Sequence, residues 1–170
     1  SLKYGLANSM NTVTAYVMKQ VSPQAVVNFV RKAGIKGEME AVPSLCLGVA
    51  DVALAEMVGA YASFANKGQY LEPVFLTRIM DKNGNEIYNN LVHRKTNSVL
   101  SERDAYLMLE LMKGVTSYNY NRDLAKNSGG TAIRLRFSKE TRPYGGIPME
   151  IPIAGKTGTT QNQSDGWFIG

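Results

Sequence analysis

A chain of 170 residues, 44% hydrophobic and 19% charged, has the composition of one globular domain with its own core, which excludes disorder as the default state. A single cysteine excludes an internal disulfide framework, one cysteine with one histidine argues against a metal cluster, and no cofactor is expected. The net charge of +5 suits anionic partners, but the basic residues are scattered rather than interleaved with stacking aromatics, so nucleic acid is not an expected partner.

From the N-terminus, residues 2–21 have a helical pattern broken at Ser9-Met10-Asn11. Val13, Val17 and Val21 predict the apolar face of a helix that starts just behind that tripeptide, which then lies in a loop. Ser22-Pro23 reads as the cap and first residue of a second helix, with Val26, Phe29, Val30 and Ala33 facing inward and Gly34 as its stop. Cys46, set in SLCLG, reads as a small buried hydrophobe and not as a reactive thiol. Asp51 is placed to cap a buried helix through Leu54, Ala55, Val58, Tyr61, Ala62 and Ala65, ended by Gly68.

Next, VFLTRIM and EIYNN flank Asp81-Lys82-Asn83-Gly84-Asn85, which predicts a two-stranded ribbon turned at Asn-Gly. Ser101-Glu102-Arg103-Asp104 resembles a capping box, opening a helix that buries Ala105, Met108, Leu109 and Met112 and closes at Gly114. Residues 116–148 are rich in Gly, Asn, Ser, Tyr and Arg without a sustained period, which predicts a long surface loop bordering a site. Arg134-Leu135-Arg136, near Gly129-Gly130-Thr131, is a candidate lining of that cleft, and exposed loop basics read equally well there. The other short basic clusters, Arg31-Lys32 and His93-Arg94-Lys95, read as solvated faces. No apolar run reaches the roughly eighteen residues of a membrane helix, and the start SLKYGLANSMN lacks a signal-peptide layout. Both ends read as ordered structure, so the chain is expected to be a piece of something longer.

The functional question sits in IAGKTGTTQNQSDGWFIG. A phosphate-binding loop needs G-x-x-x-x-G-K-[ST] followed by a helix. Here the required first glycine falls on Glu150, and TTQNQSDG is turn-like, so a nucleotide site is excluded on both spacing and context. Residues 151–160 instead predict a strand, which Ser164-Asp165-Gly166 turns into a second strand over 167–170, with Trp167 packing behind the hairpin. Gly155 and Gly158 lack Cβ atoms and leave room for another backbone at that edge. Alternation puts the Thr157 and Thr159 hydroxyls on one face, suited to a carboxylate, while Lys156 is aimed the other way and its reach into the same site depends on twist. Taken alone, a lysine and two threonines on a strand also read as an ordinary protected sheet edge.

The set S-x-x-K, S-x-N and K-T-G marks penicillin-binding proteins. Ser9-Met10-Asn11 and Lys156-Thr157-Gly158 match its second and third members. With the flanks LANSMNTVTAYV, LGVADVALAEMVGAYASFANKGQYLEPVF and AGKTGTTQNQSDGWFIG, nearly the whole chain resembles the transpeptidase domain of class A, bifunctional penicillin-binding proteins. Thr159-Thr160 with Asp165-x-Trp167-Phe168-x-Gly170 is less similar to class B enzymes or β-lactamases. The fold this implies is α+β, penicillin-binding protein/serine β-lactamase-like, a mostly antiparallel sheet flanked by helices and incomplete in this chain, with residues 1–170 as a partial transpeptidase domain.

No serine in the chain is followed by lysine three positions on, so the family's nucleophile is expected upstream of Ser1. The resemblance implies a peptidoglycan D,D-transpeptidase acting on stem peptides that end in D-alanyl-D-alanine and inhibited by β-lactams. It also implies association with the upstream remainder of the polypeptide, including a glycosyltransferase domain, at the outer face of the bacterial cytoplasmic membrane. Carried over by motif, Ser9 relays a proton to the leaving amine, and Asn11 holds a substrate amide and helps place the nucleophile's lysine. Lys156 keeps the potential positive, Thr157 and Thr159 take the substrate carboxylate beside Gly158, and the Thr159 amide furnishes half of an oxyanion hole. A penicillin-sensing or catalytically silent domain fits the same residues, and an Asn/Ser loop that merely caps the following helix accounts for Ser9 and Asn11 taken alone.

Overall fold

The computed structural model describes residues 1–90, 96–117, 129–140, 143–160 and 164–170. Helices α1 (Leu2–Ala7) and α2 (Asn11–Val21) are separated at the predicted break. α1 ends in a Schellman motif: the Met10 amide donates to the Gly5 carbonyl at 2.9 Å and the Ser9 amide to the Leu6 carbonyl at 3.1 Å, with Ser9 left-handed at φ +52°. Asn11 is not in the loop but opens α2, and no side chain caps that helix. The predicted valine face is not the buried one. Val17 and Val21 are exposed, and Met18 is buried where α2 packs on the 3-10 helix Pro43–Leu47.

Ser22 caps α3 (Pro23–Lys32), accepting from the Ala25 amide at 3.4 Å, and Gly34 follows at φ +89° with the Tyr70 ring where a Cβ would lie. Ala33 and Ile35 meet Ala60 of α4 (Leu54–Ala65) in a core that Val30, Met39, Val52, Met57 and Val99 surround. Asp51 does not cap α4. The cap is Ala53, which is extended and makes no side-chain bond, and Glu56 supplies the acidic group in the first turn. Nor is α4 buried all round: Gly59, Ala60 and Ser63 are covered, while Leu54 and Val58 are 53% and 49% exposed. Cys46 is a free, half-buried thiol.

Strand β1 (Gln69–Leu71) pairs antiparallel with β4 (Thr96–Ser98), a pairing of two three-residue strands that the sequence pattern does not announce. Between them β2 (Arg78–Met80) and β3 (Glu86–Asn89) form the predicted ribbon. Its turn is held by the Asp81 carboxylate, which accepts from the Asn83 amide, the Asn85 amide and Asn85 Nδ2, each at 2.8 Å. Only Gly84 is left-handed, at φ +85°, so the loop is a turn followed by a left-handed glycine and not a two-residue Asn-Gly turn.

Helix α5 (Glu102–Met112) starts as predicted, with Ser101 Oγ accepting from the Asp104 amide at 3.1 Å and donating to the Asp104 carboxylate at 2.7 Å. It does not close at Gly114; it tightens into the 3-10 helix Lys113–Thr116, which lies buried against α1. Part of the predicted surface loop is likewise core. Gly130, Ala132 and Ile133 are buried, and a 3-10 helix spans Ile133–Arg136, because the Gly130 and Ala132 amides donate to the Ser117 and Val115 carbonyls, each at 2.9 Å. Residues 118–128 and 141–142 of that loop, the cluster His93-Arg94-Lys95, and residues 161–163 of the last turn lie outside the described residues.

The final hairpin is β5 (Lys156–Thr159) paired with β6 (Gly166–Ile169). β5 is shorter than predicted because the backbone before it is engaged elsewhere: the Thr116 hydroxyl donates to the Ile153 carbonyl at 2.8 Å and the Gly155 amide to the Met112 carbonyl at 3.5 Å. Among the described residues, helices and three two-stranded antiparallel sheets make an α+β fold.

Candidate active site

The Schellman turn determines where Ser9 sits. Position C′ of such a turn is left-handed and favours glycine, and a residue with a Cβ there costs about 1 kcal/mol. Ser9 occupies it and projects its hydroxyl beyond the end of α1. Lys156 Nζ donates to that hydroxyl at 2.9 Å and to the Thr157 carbonyl at 2.8 Å. This resolves the alternation problem. The Lys156 ammonium curls onto its own strand, bonded to the carbonyl of the next residue, and from there meets Ser9. Burial lowers the Lys156 pKa below the usual lysine value. Among the described residues no ion pair engages Lys156, so the site presents a partly desolvated cation whose partners are neutral oxygens.

Beside it, Thr157 Oγ1 lies 2.6 Å from Thr131 Oγ1, while Gly158 and Thr159 are exposed further along β5. Among the described residues β5 pairs only with β6, and no described strand lies along its other edge. The two glycines of the strand differ. A Cβ on Gly158 would meet nothing within 4 Å, whereas one on Gly155 would lie 2.6 Å from the Ile169 carbonyl oxygen and from the Phe168 ring. The expectation that both leave room for an incoming backbone therefore holds for Gly158 alone; Gly155 serves packing inside the hairpin. Asn11 is exposed at the first position of α2, on the far side of the turn from α1.

Two other expectations are corrected. Trp167 does not pack behind the hairpin but is 56% exposed, on the wall of a groove of about 410 Å³ formed with Val52, Leu54, Met57 and Val58. Arg136 does not line the cleft. Its guanidinium holds the Thr116 carbonyl at 3.2 Å and the Pro148 carbonyl at 2.6 Å, which clamps the segment leading to β5, while Arg134 is exposed. The residue that sequence reasoning passed over is Thr131; its only signal was the preceding glycine pair, which reads equally well as loop.

Penicillin-binding protein 1A of Haemophilus influenzae superposes with a TM-score of 0.75 at 22% identity, over 98% of this chain and 27% of that one. Penicillin-binding protein 3 of Mycobacterium tuberculosis, in a complex with ampicillin, superposes at 0.72 and 20% identity over 94% and 36%. The fold is thus that of penicillin-binding protein transpeptidase domains. In sequence, penicillin-binding protein 2D of Bacillus subtilis is 33% identical over 170 residues, all of this chain and 22% of that protein. Penicillin-binding protein 1A of Rickettsia prowazekii is 33% identical over 172 residues, again 22% of that protein. The penicillin binding protein transpeptidase domain family matches residues 1–170, and the chain belongs to it. It spans about a fifth of the length of these curated relatives.

Proposed function

We propose that the chain is part of a serine D,D-transpeptidase of the class A, bifunctional kind, whose S-x-x-K nucleophile lies in sequence preceding Ser1. The observation that carries this reading is the contact between Lys156 Nζ and Ser9 Oγ at 2.9 Å, made by a half-buried lysine beside a strand edge along which no described strand lies. A hydroxyl that both donates and accepts, held against a cation, suits proton relay. The absence of a side-chain cap on α2 supports the same reading, since capping then gives no reason for Ser9 and Asn11.

In the proposed reaction the serine oxygen attacks the carbonyl of the penultimate D-alanine of a stem peptide. An ester forms, the peptide bond to the terminal D-alanine breaks, and Ser9 passes a proton to the departing amine. An amine from a neighbouring strand then attacks the ester, forms the cross-link and releases the serine. Asn11 holds a substrate amide and helps place the nucleophile's lysine. Thr157 and Thr159 donate to the terminal carboxylate under the positive potential of Lys156, Gly158 lets the peptide backbone lie close along β5, and the Thr159 amide is half of the oxyanion hole. A β-lactam occupies the donor site and stops after acylation.

The class A reading rests on the resemblance of Thr159-Thr160 and Asp165-x-Trp167-Phe168-x-Gly170, is supported by the similarity to penicillin-binding proteins 2D and 1A, and brings a glycosyltransferase domain and a membrane anchor elsewhere in the polypeptide, at the outer face of the cytoplasmic membrane. No helix among the described residues is long and apolar enough to cross a membrane. The groove between α4 and the hairpin, with exposed Leu54, Val58 and Trp167, is apolar surface that the remainder of the polypeptide would cover. A fluorescent penicillin tests the proposal. Added to residues 1–170 alone it leaves no covalent label, and added to these residues with the upstream half it labels a serine outside this numbering. Labelling of the isolated chain contradicts the assignment.

A further inference from the structure

We infer that Thr131 is a positioning residue of this site, which fastens the Ser9 turn through its backbone and sets the direction in which Thr157 donates through its hydroxyl. The inference rests on the transpeptidase reading in one respect, that Thr157 meets an anion at the β5 edge.

The Thr131 amide donates to the Ala7 carbonyl at 2.9 Å, two residues before Ser9, and its hydroxyl lies 2.6 Å from that of Thr157. One residue therefore joins the two segments that carry Ser9 and Lys156. Its own position is held on both sides. The preceding Gly130 donates to the Ser117 carbonyl at 2.9 Å, and a Cβ there would collide with the Gly114 and Val115 carbonyl oxygens. The following Ala132 amide donates to the Val115 carbonyl at 2.9 Å.

A hydroxyl has one hydrogen. If Thr157 gives its hydrogen to Thr131, it has none for an anion beyond the strand edge. If Thr131 donates to Thr157, the Thr157 hydrogen turns outward, and the two bonds reinforce each other in series. A carboxylate at β5 selects the second arrangement, and a residue without a hydroxyl at 131 leaves the Thr157 hydroxyl able to donate but no longer oriented or polarised toward the anion. The backbone bond to Ala7 survives any substitution except proline, so the two roles of Thr131 are separable.

The test uses the full polypeptide, with variants Thr131→Val and Thr131→Ser, and follows acylation by benzylpenicillin and by its methyl ester. Valine is isosteric, and the site is exposed, so the fold is retained. Thr131→Val is expected to weaken binding before acylation about three- to fivefold, the order of leaving one hydroxyl donor unoriented and unpolarised, with the acylation step itself little changed. Thr131→Ser is expected to stay within about twofold of wild type, because it keeps the hydroxyl. The loss shrinks for the ester, which has no carboxylate, and Thr131→Val adds nothing in a Thr157→Val background. Wild-type binding by Thr131→Val, an equal loss in Thr131→Ser, or an equal loss for the ester overturns the inference. An unlabelled wild-type protein overturns the transpeptidase reading and this inference with it.

Discussion

Ser9 and Lys156 lie 147 positions apart in the chain, and Lys156 Nζ donates to Ser9 Oγ at 2.9 Å. Neither segment holds that geometry by itself. The Ser9 turn ends a helix packed on Gly114, and the approach to Lys156 is tied to Met112 and Thr116, so one stretch at the end of α5 carries both.

Because Ser9 is left-handed at φ +52°, its substitutions separate stability from function. Ser9→Ala and Ser9→Gly both remove the hydroxyl, and each is expected to slow transpeptidation of a peptide donor by roughly 10²-fold or more, the scale of a lost proton relay. Ser9→Gly relieves the backbone and is expected to be about 1 kcal/mol more stable than Ser9→Ala in urea unfolding.

Burial lowers the Lys156 pKa below 10.5. The sign follows from the charged form being disfavoured in the folded state. The penalty is present at neutral pH, below the folded pKa, and disappears as pH rises toward the unfolded value, so Lys156→Met is expected to unfold at higher temperature at pH 7 and to lose that advantage in alkali. Acylation that needs the ammonium is expected to decline at a pH lower than an ordinary lysine would give, and pH–rate profiles of penicillin acylation measure it.

Gly155→Ala and Gly158→Ala are one residue type on one strand with opposite expected outcomes. The first puts a methyl 2.6 Å from the Ile169 carbonyl oxygen and is expected to cost about 1–3 kcal/mol, as overpacking does, read by thermal unfolding. The second meets nothing within 4 Å, so stability is expected to be retained while penicillin acylation slows, because the methyl occupies the space of an incoming backbone.

Arg136→Met removes the donors to the Thr116 and Pro148 carbonyls. Loss of charge-assisted bonds of this kind costs about 1.5–3 kcal/mol. The expected result is lower stability with acylation falling only as the folded fraction falls, which parallel activity and circular dichroism measurements distinguish from a role in the cleft.

Local signals in the sequence carried the parts of the fold that local chemistry decides. Ser22-Pro23, the Ser101 cap, the Asp81 to Asn85 turn and the K-T-G hairpin each form from neighbouring residues, and each appears where the pattern places it. Burial of α2 did not follow, since which helix face is covered depends on a partner, here the 3-10 helix Pro43–Leu47, remote in sequence. The β1 and β4 pairing and the burial of Gly130, Ala132 and Ile133 were hidden for the same reason: their stabilising contacts are long-range and leave no period. At the site, the resemblance of Ser9-Met10-Asn11 and Lys156-Thr157-Gly158 to the family's motifs indicated Ser9, Asn11 and Lys156 to Thr159, whereas Thr131 became visible only through its contacts with Ala7 and Thr157.

A crystal structure of the full polypeptide acylated by a penicillin tests the central claim most directly. The account predicts the penicillin carboxylate within hydrogen-bond distance of the Thr157 and Thr159 hydroxyls, its amide side chain along the edge of β5 away from β6, and Lys156 Nζ still in contact with Ser9 Oγ. An acyl group bound away from β5, with Ser9 and Lys156 facing solvent apart from it, contradicts the account.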